Sequence, residues 1–249
     1  MIQAFNISPT KKLIVPGSFE DTIKFAAEHF IKCAQQSIEA HGKFFVALSG
    51  GSTPKAIFSY LNKHFLHQTI WQKTFVFWGD ERAVGPFHSE SNYKMAMDSG
   101  FAKLPIPPSQ IFRMHAEEDI SKGAKEYEAL IKTHLPNLEF DLVMLGMGED
   151  GHTASLFPLT QALEEKNSLV AANFIPSKNC WRMTLTYPII NKALYIVFYV
   201  TGAAKKVKLN QVFQDEQSIN PCSRVGTASS PALWIADKEA AELAVKNLL

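Results

Sequence analysis

The sequence has few cysteines and no segment typical of membrane insertion or secretion. Its 249 residues include three cysteines, Cys33, Cys180 and Cys222, which are far apart and form no C-x-x-C motif. This spacing argues against a disulfide framework and against a thiolate metal site. The N-terminal segment lacks the apolar stretch of a signal peptide, and no run of about 18 apolar residues occurs. We therefore expect a cytoplasmic protein with no membrane partner.

The sequence also lacks an excess of charge of either sign. Lys and Arg number 25, Asp and Glu number 24, and the formal net charge is +1, so no overall field favours nucleic acid as a partner. His64 and His67 have H-x-x-H spacing without a carboxylate or cysteine nearby, and we expect both to be exposed and to bind no metal. Residues 1–249 are expected to form one α/β domain, as a monomer or a weak homodimer.

Short apolar segments alternate with segments of helical periodicity. Strands are predicted at residues 43–48, 74–78, 140–145, 182–186, 193–200 and 232–236. Helices are predicted from a cap at Ser18 to a stop at Gly42, and at 56–65, 91–97, 119–134, 203–214 and 237–248. Wholly apolar strands between helices indicate a mostly parallel sheet flanked by helices on both faces, a Rossmann-like three-layer architecture.

Unusual polar clusters follow four of the predicted strands. They are Ser49 to Thr53, Gly79 to Arg82, Gly146 to His152, and Thr201-Gly202 with Lys205. Ligands bind beyond the carboxyl ends of parallel strands, so we expect these four clusters to meet at one crevice. Asp80 and Arg82 would otherwise indicate a surface salt-bridge cluster, and their position at a strand end favours a functional role.

The segment Ser49-Gly50-Gly51-Ser52-Thr53-Pro54 joins a strand to a helix and is a candidate anion site. Glycines let the backbone approach a ligand, and the free amides of a helix start lie at the positive end of the helix dipole. A tight turn with a capping serine is the alternative. The Gly-Lys-Ser/Thr ending of a nucleotide P-loop is absent. Arg182 and Lys205 each could hold a phosphate, although a solvated side chain is the alternative for Lys205.

The segment from Gly146 to Gly151 matches the dinucleotide pattern G-x-G-x-x-G, but we reject that interpretation. Glu149 and Asp150 would place carboxylates where a pyrophosphate lies, and Pro158 leaves little helix behind the loop. The same turn can instead aim Asp150 and His152 at the crevice. Histidine is suited to activate water near neutral pH, and a nearby carboxylate can select its tautomer. A structural histidine is the alternative.

Three blocks together resemble the 6-phosphogluconolactonase family: Ala47 to Pro54, Trp78 to Arg82 with Ser91-Asn92, and Leu145 to Pro158. Further blocks at 182–188, 201–205 and 234–237 extend the resemblance over nearly the whole chain. The resemblance implies an α/β fold shared with glucosamine-6-phosphate deaminases, a role in the oxidative pentose phosphate pathway, and no cofactor.

The expected reaction is hydrolysis of a phosphosugar lactone, 6-phospho-D-glucono-1,5-lactone, to 6-phospho-D-gluconate. We expect catalysis to involve His152 as general base, with Asp150 and Asp80 orienting the histidine and the sugar hydroxyls. The expected substrate-binding residues are Ser49, Gly50, Gly51, Ser52, Thr53, Arg82, Asn92, Gly151, Arg182 and Lys205. The 219–231 segment matches the family only loosely, so a substrate contact by Arg224 is left open.

Two alternatives remain at this point. A glucosamine-6-phosphate deaminase or isomerase would have the same fold, but the deaminases carry an Asn-Glu pair where this chain has Leu156-Phe157. That difference removes a carboxylate which the deaminase chemistry uses. A non-catalytic sugar-phosphate sensor could use the same anion site, but the sequence shows no DNA-binding module such as a sensor of this kind would carry.

Overall fold

The chain folds into two sheets of unequal size, and the computed structural model describes residues 2–215, 217 and 219–248. The strands in this part of the chain are β1 Gln3–Ser8, β2 Lys11–Val15, β3 Phe44–Leu48, β4 Thr74–Trp78, β5 Asp80–Arg82, β6 Leu142–Leu145, β7 Val170–Ile175, β8 Cys180–Leu185, β9 Tyr195–Val200 and β10 Ala232–Ala236. The helices are α1 Phe19–His41, α2 Ser52–Phe65, α3 Asn92–Asp98, α4 Ile120–His134, α5 Tyr187–Ile190, α6 Lys206–Gln214 and α7 Lys238–Leu248.

The larger sheet has the strand order β1-β2-β10-β9-β6-β3-β4. It is parallel except at its edge, where β1 pairs antiparallel with β2. The strand order reverses between β3 and β6, because the chain passes from β3 to β4 on one side and later from β6 to β9 on the other. In open α/β sheets, ligands bind in the crevice at such a reversal. The loops that follow β3 and β6 therefore border the expected ligand site.

The central strands are buried on both faces. Every residue of β3 and of β6 is buried, and successive side chains of a strand point to opposite faces, so both faces must be covered. Helix α1 packs against α2, and α6 packs against α7. The start of α1 has the predicted cap, since Ser18 accepts a hydrogen bond from the Asp21 amide, and Gly42, with φ 84°, caps its C-terminus. The predicted α/β architecture is confirmed.

A second, antiparallel sheet with the order β5-β8-β7 departs from the prediction. Residues 80–82, predicted as a loop, form β5, and the strand predicted at 182–186 belongs to β8 in this sheet and not to the parallel one. Strand β7 escapes a periodicity argument because it includes a polar residue, Asn173, which is 1% exposed and hydrogen-bonded in the interior. The N-terminal hairpin is likewise missed, because β2 is placed by pairing with β10, far along the chain.

Several smaller expectations concern residues away from the sheet edges. His64 and His67 are exposed, as predicted. The three cysteines are unpaired, and Cys33 and Cys222 are buried. Among the described residues, no helix is long and apolar enough to cross a membrane.

Candidate active site

A cavity lies at the carboxyl edge of the main sheet, beside the reversal of strand order. Its volume is about 230 Å³, and its lining residues are Ser49, Gly50, Gly51, Asp80, Arg82, Asn92, Gly146, Met147, Gly148, His152, Ala154 and Lys205. Each of the four polar clusters found in the sequence contributes at least one residue. The cavity therefore brings together the glycine turn, Ser49 to Thr53, and the histidine loop, Gly146 to His152.

The turn from β3 to α2 forms one wall of the cavity. A β-carbon on Gly50 would lie 1.9 Å from the Asn92 Oδ1 atom, so glycine is needed there for close approach. Gly51 is the N-cap of α2 with φ 104°, a conformation that favours glycine. No acceptor among the described residues takes the amide hydrogens of Gly50 and Gly51, and those of Ser52 and Thr53 have no intrahelical acceptor. The turn thus presents free amides at the positive end of α2.

The side chains of Ser52 and Thr53 do not line the cavity. Ser52 is exposed at the start of α2. Thr53 is 8% exposed, and its Oγ1 atom lies 2.7 Å from Thr201 Oγ1, which links the turn after β3 to the loop after β9. The backbone amides of these two residues, and not their hydroxyls, are therefore the candidates for anion binding.

Buried hydrogen bonds hold Asp80 and Asn92 in the cavity wall. Asp80 Oδ1 accepts from Asn92 Nδ2 at 3.1 Å, and Asp80 Oδ2 accepts from Ser155 Oγ at 2.6 Å. The neighbouring Glu81 accepts from the Asn92 amide at 2.8 Å and so fixes the start of α3, while burial raises the pKa of Glu81. Both Asp80 oxygens are thus engaged by Asn92 and Ser155, and another carboxylate orients the histidine.

That carboxylate is Asp150. Its Oδ1 atom lies 2.5 Å from His152 Nδ1 and also accepts from the His152 amide at 3.1 Å. Burial alone would raise the pKa of Asp150, but the hydrogen bonds and charge of His152 outweigh burial and lower it to about 2. The carboxylate is therefore ionised at any pH above its ordinary pKa of 3.8. An ionised acceptor at Nδ1 keeps the proton on that nitrogen, so Nε2 of the neutral ring is the free base.

The backbone of the histidine loop is fixed from behind by Cys222. The Cys222 amide donates to the Gly151 carbonyl at 3.0 Å, and the Cys222 thiol donates to the His152 carbonyl at 3.3 Å. Within the loop, the Gly151 amide donates to the Gly148 carbonyl at 3.1 Å. Gly151, an expected substrate-binding residue, thus lies outside the cavity lining with its amide and carbonyl both engaged.

Two arginines lie directly opposite each other on the small sheet, Arg82 on β5 and Arg182 on β8. Opposite residues of antiparallel strands share a face. Arg82 lines the cavity, so Arg182 lies on the cavity side of the sheet although it is not part of the lining. The Nε atoms of both arginines are buried without an acceptor among the described residues. The register therefore places a second arginine on the same face of the small sheet as Arg82.

Lys205 reaches the cavity from the loop after β9. No carboxylate among the described residues lies within ion-pair distance of its ammonium, whereas the next residue, Lys206, pairs with Glu242 at 2.8 Å. Arg224, whose role the sequence left open, donates to the Leu163 carbonyl at 2.9 Å and does not line the cavity. Lys205 is thus the better placed of these cations to meet a bound anion.

Sequence reasoning missed several residues of the site. Ser155, Gly148 and Phe157 contact the catalytic candidates, and all three lie in the block from Leu145 to Pro158, so the resemblance points to the segment but not to their contacts. Within the residues that the structure describes, no group of three or more His, Cys, Asp or Glu side chains is arranged to hold a metal ion. The absence of a metal and of a cofactor stays a prediction.

The fold and the site together define an α/β enzyme that carries a histidine–carboxylate pair beside the amide-rich start of α2. The chain belongs to the family of glucosamine-6-phosphate isomerases/6-phosphogluconolactonase, whose model matches residues 18–234. The family resemblance noted from the sequence blocks is thereby confirmed.

Individual relatives agree with this membership. The chain is 43% identical to a 6-phosphogluconolactonase of Chlamydia pneumoniae, in an alignment that covers 98% of this chain and 95% of the relative. The solved structure of 6-phosphogluconolactonase from Trypanosoma cruzi is 29% identical in sequence and has a TM-score of 0.83. The match covers 96% of this chain and 98% of the chain in that structure. A monomeric glucosamine-6-phosphate deaminase, 21% identical over 93% of this chain and 99% of its own, shares the fold with a TM-score of 0.75.

Proposed function

We propose that this protein hydrolyses 6-phospho-D-glucono-1,5-lactone to 6-phospho-D-gluconate, a step of the oxidative pentose phosphate pathway, with His152 as the general base. The observation that carries the proposal is the cavity that His152 shares with the amide-rich start of α2. A phosphorylated lactone needs both a site for its dianion and a base for the attacking water. The 6-phosphogluconolactonase relatives support this choice of substrate.

The phosphate end of the substrate is assigned to the cationic and amide-rich wall. Amides at a helix start bind phosphate through their N–H groups and the helix dipole. Lys205, which has no carboxylate partner among the described residues, adds a positive charge, and Arg82 and Arg182 offer guanidinium groups on the same face of the small sheet. Binding the phosphate here fixes one end of the sugar, so that the lactone carbonyl can lie near His152.

The chemical step uses the His152–Asp150 pair. His152 Nε2 takes a proton from water while the water oxygen bonds to C1 of the lactone. Backbone amides of the glycine turn and the histidine loop donate hydrogen bonds to the oxyanion that forms. The bond between C1 and the ring oxygen then breaks, and the imidazolium returns its proton to that oxygen. The ionised Asp150 stabilises the imidazolium and keeps the Nδ1 proton in place.

One assay tests this function against its nearer alternative. Freshly generated 6-phosphogluconolactone should release acid faster with the protein than by spontaneous hydrolysis, with or without a chelator. Glucosamine 6-phosphate should yield no ammonia, because Leu156 and Phe157, which are 0% and 4% exposed, place buried apolar side chains after the histidine loop. Ammonia formation, or lactone loss at the spontaneous rate, would overturn the proposal. Cytoplasmic location and the oligomeric state stay predictions.

Replacing Lys205 with alanine should raise KM more than it lowers kcat. The ammonium is assigned to the phosphate, which lies far from the reacting carbonyl, so its loss weakens binding of substrate and transition state alike. Initial rates over a range of lactone concentrations separate the two constants. Lys206→Ala is the matched control, because Lys206 is adjacent but pairs with Glu242 outside the cavity. A Lys205→Ala variant that loses only kcat would contradict the assignment.

A further inference from the structure

The imidazole of His152 lies face to face with the ring of Phe157. The ring centroids are 3.8 Å apart and the planes differ by 17°. Phe157 is 4% exposed, whereas the His152 side chain is 26% exposed. One face of the imidazole is therefore closed by a buried phenyl ring, while the histidine still lines the cavity.

The hydrogen bond from Asp150 does not by itself fix the direction of Nε2. A single bond at Nδ1 leaves the imidazole able to tilt about the line that joins Nδ1 to the carboxylate oxygen, because the torsion about χ2 of histidine is broad. A flat aromatic ring in contact with one face opposes that tilt. The carboxylate and the phenyl ring together determine both the position of Nδ1 and the plane of the ring.

Phe157 is itself held by the small sheet. Its carbonyl accepts from Thr160 Oγ1 at 2.7 Å. Asn173 of β7 donates to Thr160 Oγ1 and to the Ser155 carbonyl, both at 2.9 Å. Asn173 is 1% exposed, so these bonds are shielded from water. The segment that carries Phe157 is thus attached to β7 by buried hydrogen bonds.

We propose that Phe157 is a positioning residue: its ring, fixed through Thr160 and Asn173 to β7, holds the plane of the His152 imidazole so that Nε2 faces the cavity. The kinetic consequence rests on the proposed function, since it requires that His152 act on the lactone. The effect on the imidazole does not, because the ring contact exists in the protein without substrate.

The kinetic test compares two substitutions of Phe157. Phe157→Leu keeps an apolar side chain but removes the flat face, and it should lower kcat about 10-fold through loss of orientation. KM should stay within about twofold, because the phosphate contacts are unchanged. Phe157→Tyr keeps the ring and should retain kcat within about twofold of the wild type. Phe174→Leu is the control, because Phe174 is exposed and follows Asn173 in β7, so its ring points to the opposite face of the strand from the Asn173 side chain. This variant should leave both constants unchanged.

A spectroscopic measurement separates positioning from simple packing. Relaxation of the His152 Cε1–H group, in protein with 13C-labelled histidine and assigned by His152→Gln, should show a rigid ring in the wild type and a mobile one in Phe157→Leu. Phe157→Met replaces the leucine variant if thermal unfolding shows that leucine is not tolerated. A mobile wild-type ring, a rigid ring in the leucine or methionine variant, or equal losses of kcat in the Leu and Tyr variants would overturn the proposal. If the wild type hydrolyses no lactone, the proposed function fails, while the relaxation data still decide the role of Phe157.

Discussion

Replacing His152 with alanine should lower kcat by about 10²–10⁴, the usual contribution of a general base. The residual rate would come from substrate binding and from stabilisation of the oxyanion by the amides of the glycine turn and the histidine loop, which remain in place. The fold should survive the change, because the His152 side chain is partly exposed. The backbone of the histidine loop also keeps its hydrogen bond from the Cys222 thiol. Steady-state hydrolysis of fresh lactone, with the spontaneous rate subtracted, gives the measurement.

His67→Ala is the control for this prediction, because His67 is exposed at the end of α2 and lies outside the cavity lining. It should retain the wild-type kcat and thermal stability. A His152→Ala variant with unchanged turnover would remove His152 from the mechanism. A variant that loses turnover only in proportion to its loss of folded protein would assign the residue a structural role.

Two parts of the site can be predicted from the sequence, because residues that are contiguous in the chain determine their geometry. The turn from β3 to α2 is predictable because strand, glycine pair and helix start are contiguous, and the observed φ of 104° at Gly51 belongs to that pattern. The Asp150–His152 pair is predictable for the same reason, because two side chains that are two positions apart in one turn can form a hydrogen bond with each other.

The parts that sequence alone does not supply depend on contacts between distant segments. Asp80 is predicted, with Asp150, to orient the histidine and the sugar hydroxyls, and the sequence does not supply the partners that hold it. Its oxygens accept from Asn92 and Ser155, and Ser155 lies 75 positions away. Phe157 is apolar and buried, so its composition indicates only core packing, and its contact with the imidazole appears once the segment is fixed to β7. The position of Arg182 opposite Arg82 requires the register of a sheet that periodicity did not predict.

Replacing Gly148 with alanine should nearly abolish turnover, on the scale of the loss from removing the base itself, about 10²-fold or more. A β-carbon at Gly148 would lie 2.0 Å from His152 Nδ1 and 2.6 Å from Asp150 Oδ1, closer than any packing allows. Those neighbours are side-chain atoms, so the strain is relieved when the imidazole and the carboxylate move apart. Phe157 closes one face of the imidazole, so the ring can move only away from Phe157, and its side chain is 26% exposed. The fold should therefore persist while the hydrogen bond between His152 and Asp150 is broken.

The measurement that assigns this loss to the histidine is a double-mutant cycle. If Gly148→Ala acts by displacing His152, adding it to His152→Ala should cost little further activity, because the displaced group is already absent. Gly148 also lines the cavity, so a methyl group that blocked substrate directly would instead lower activity equally in both backgrounds. Gly85→Ala is the control, since a β-carbon there meets nothing within 4 Å. Wild-type kcat in Gly148→Ala would show that the loop accommodates a methyl group without moving the imidazole, and would contradict the close approach on which the proposed catalytic geometry depends.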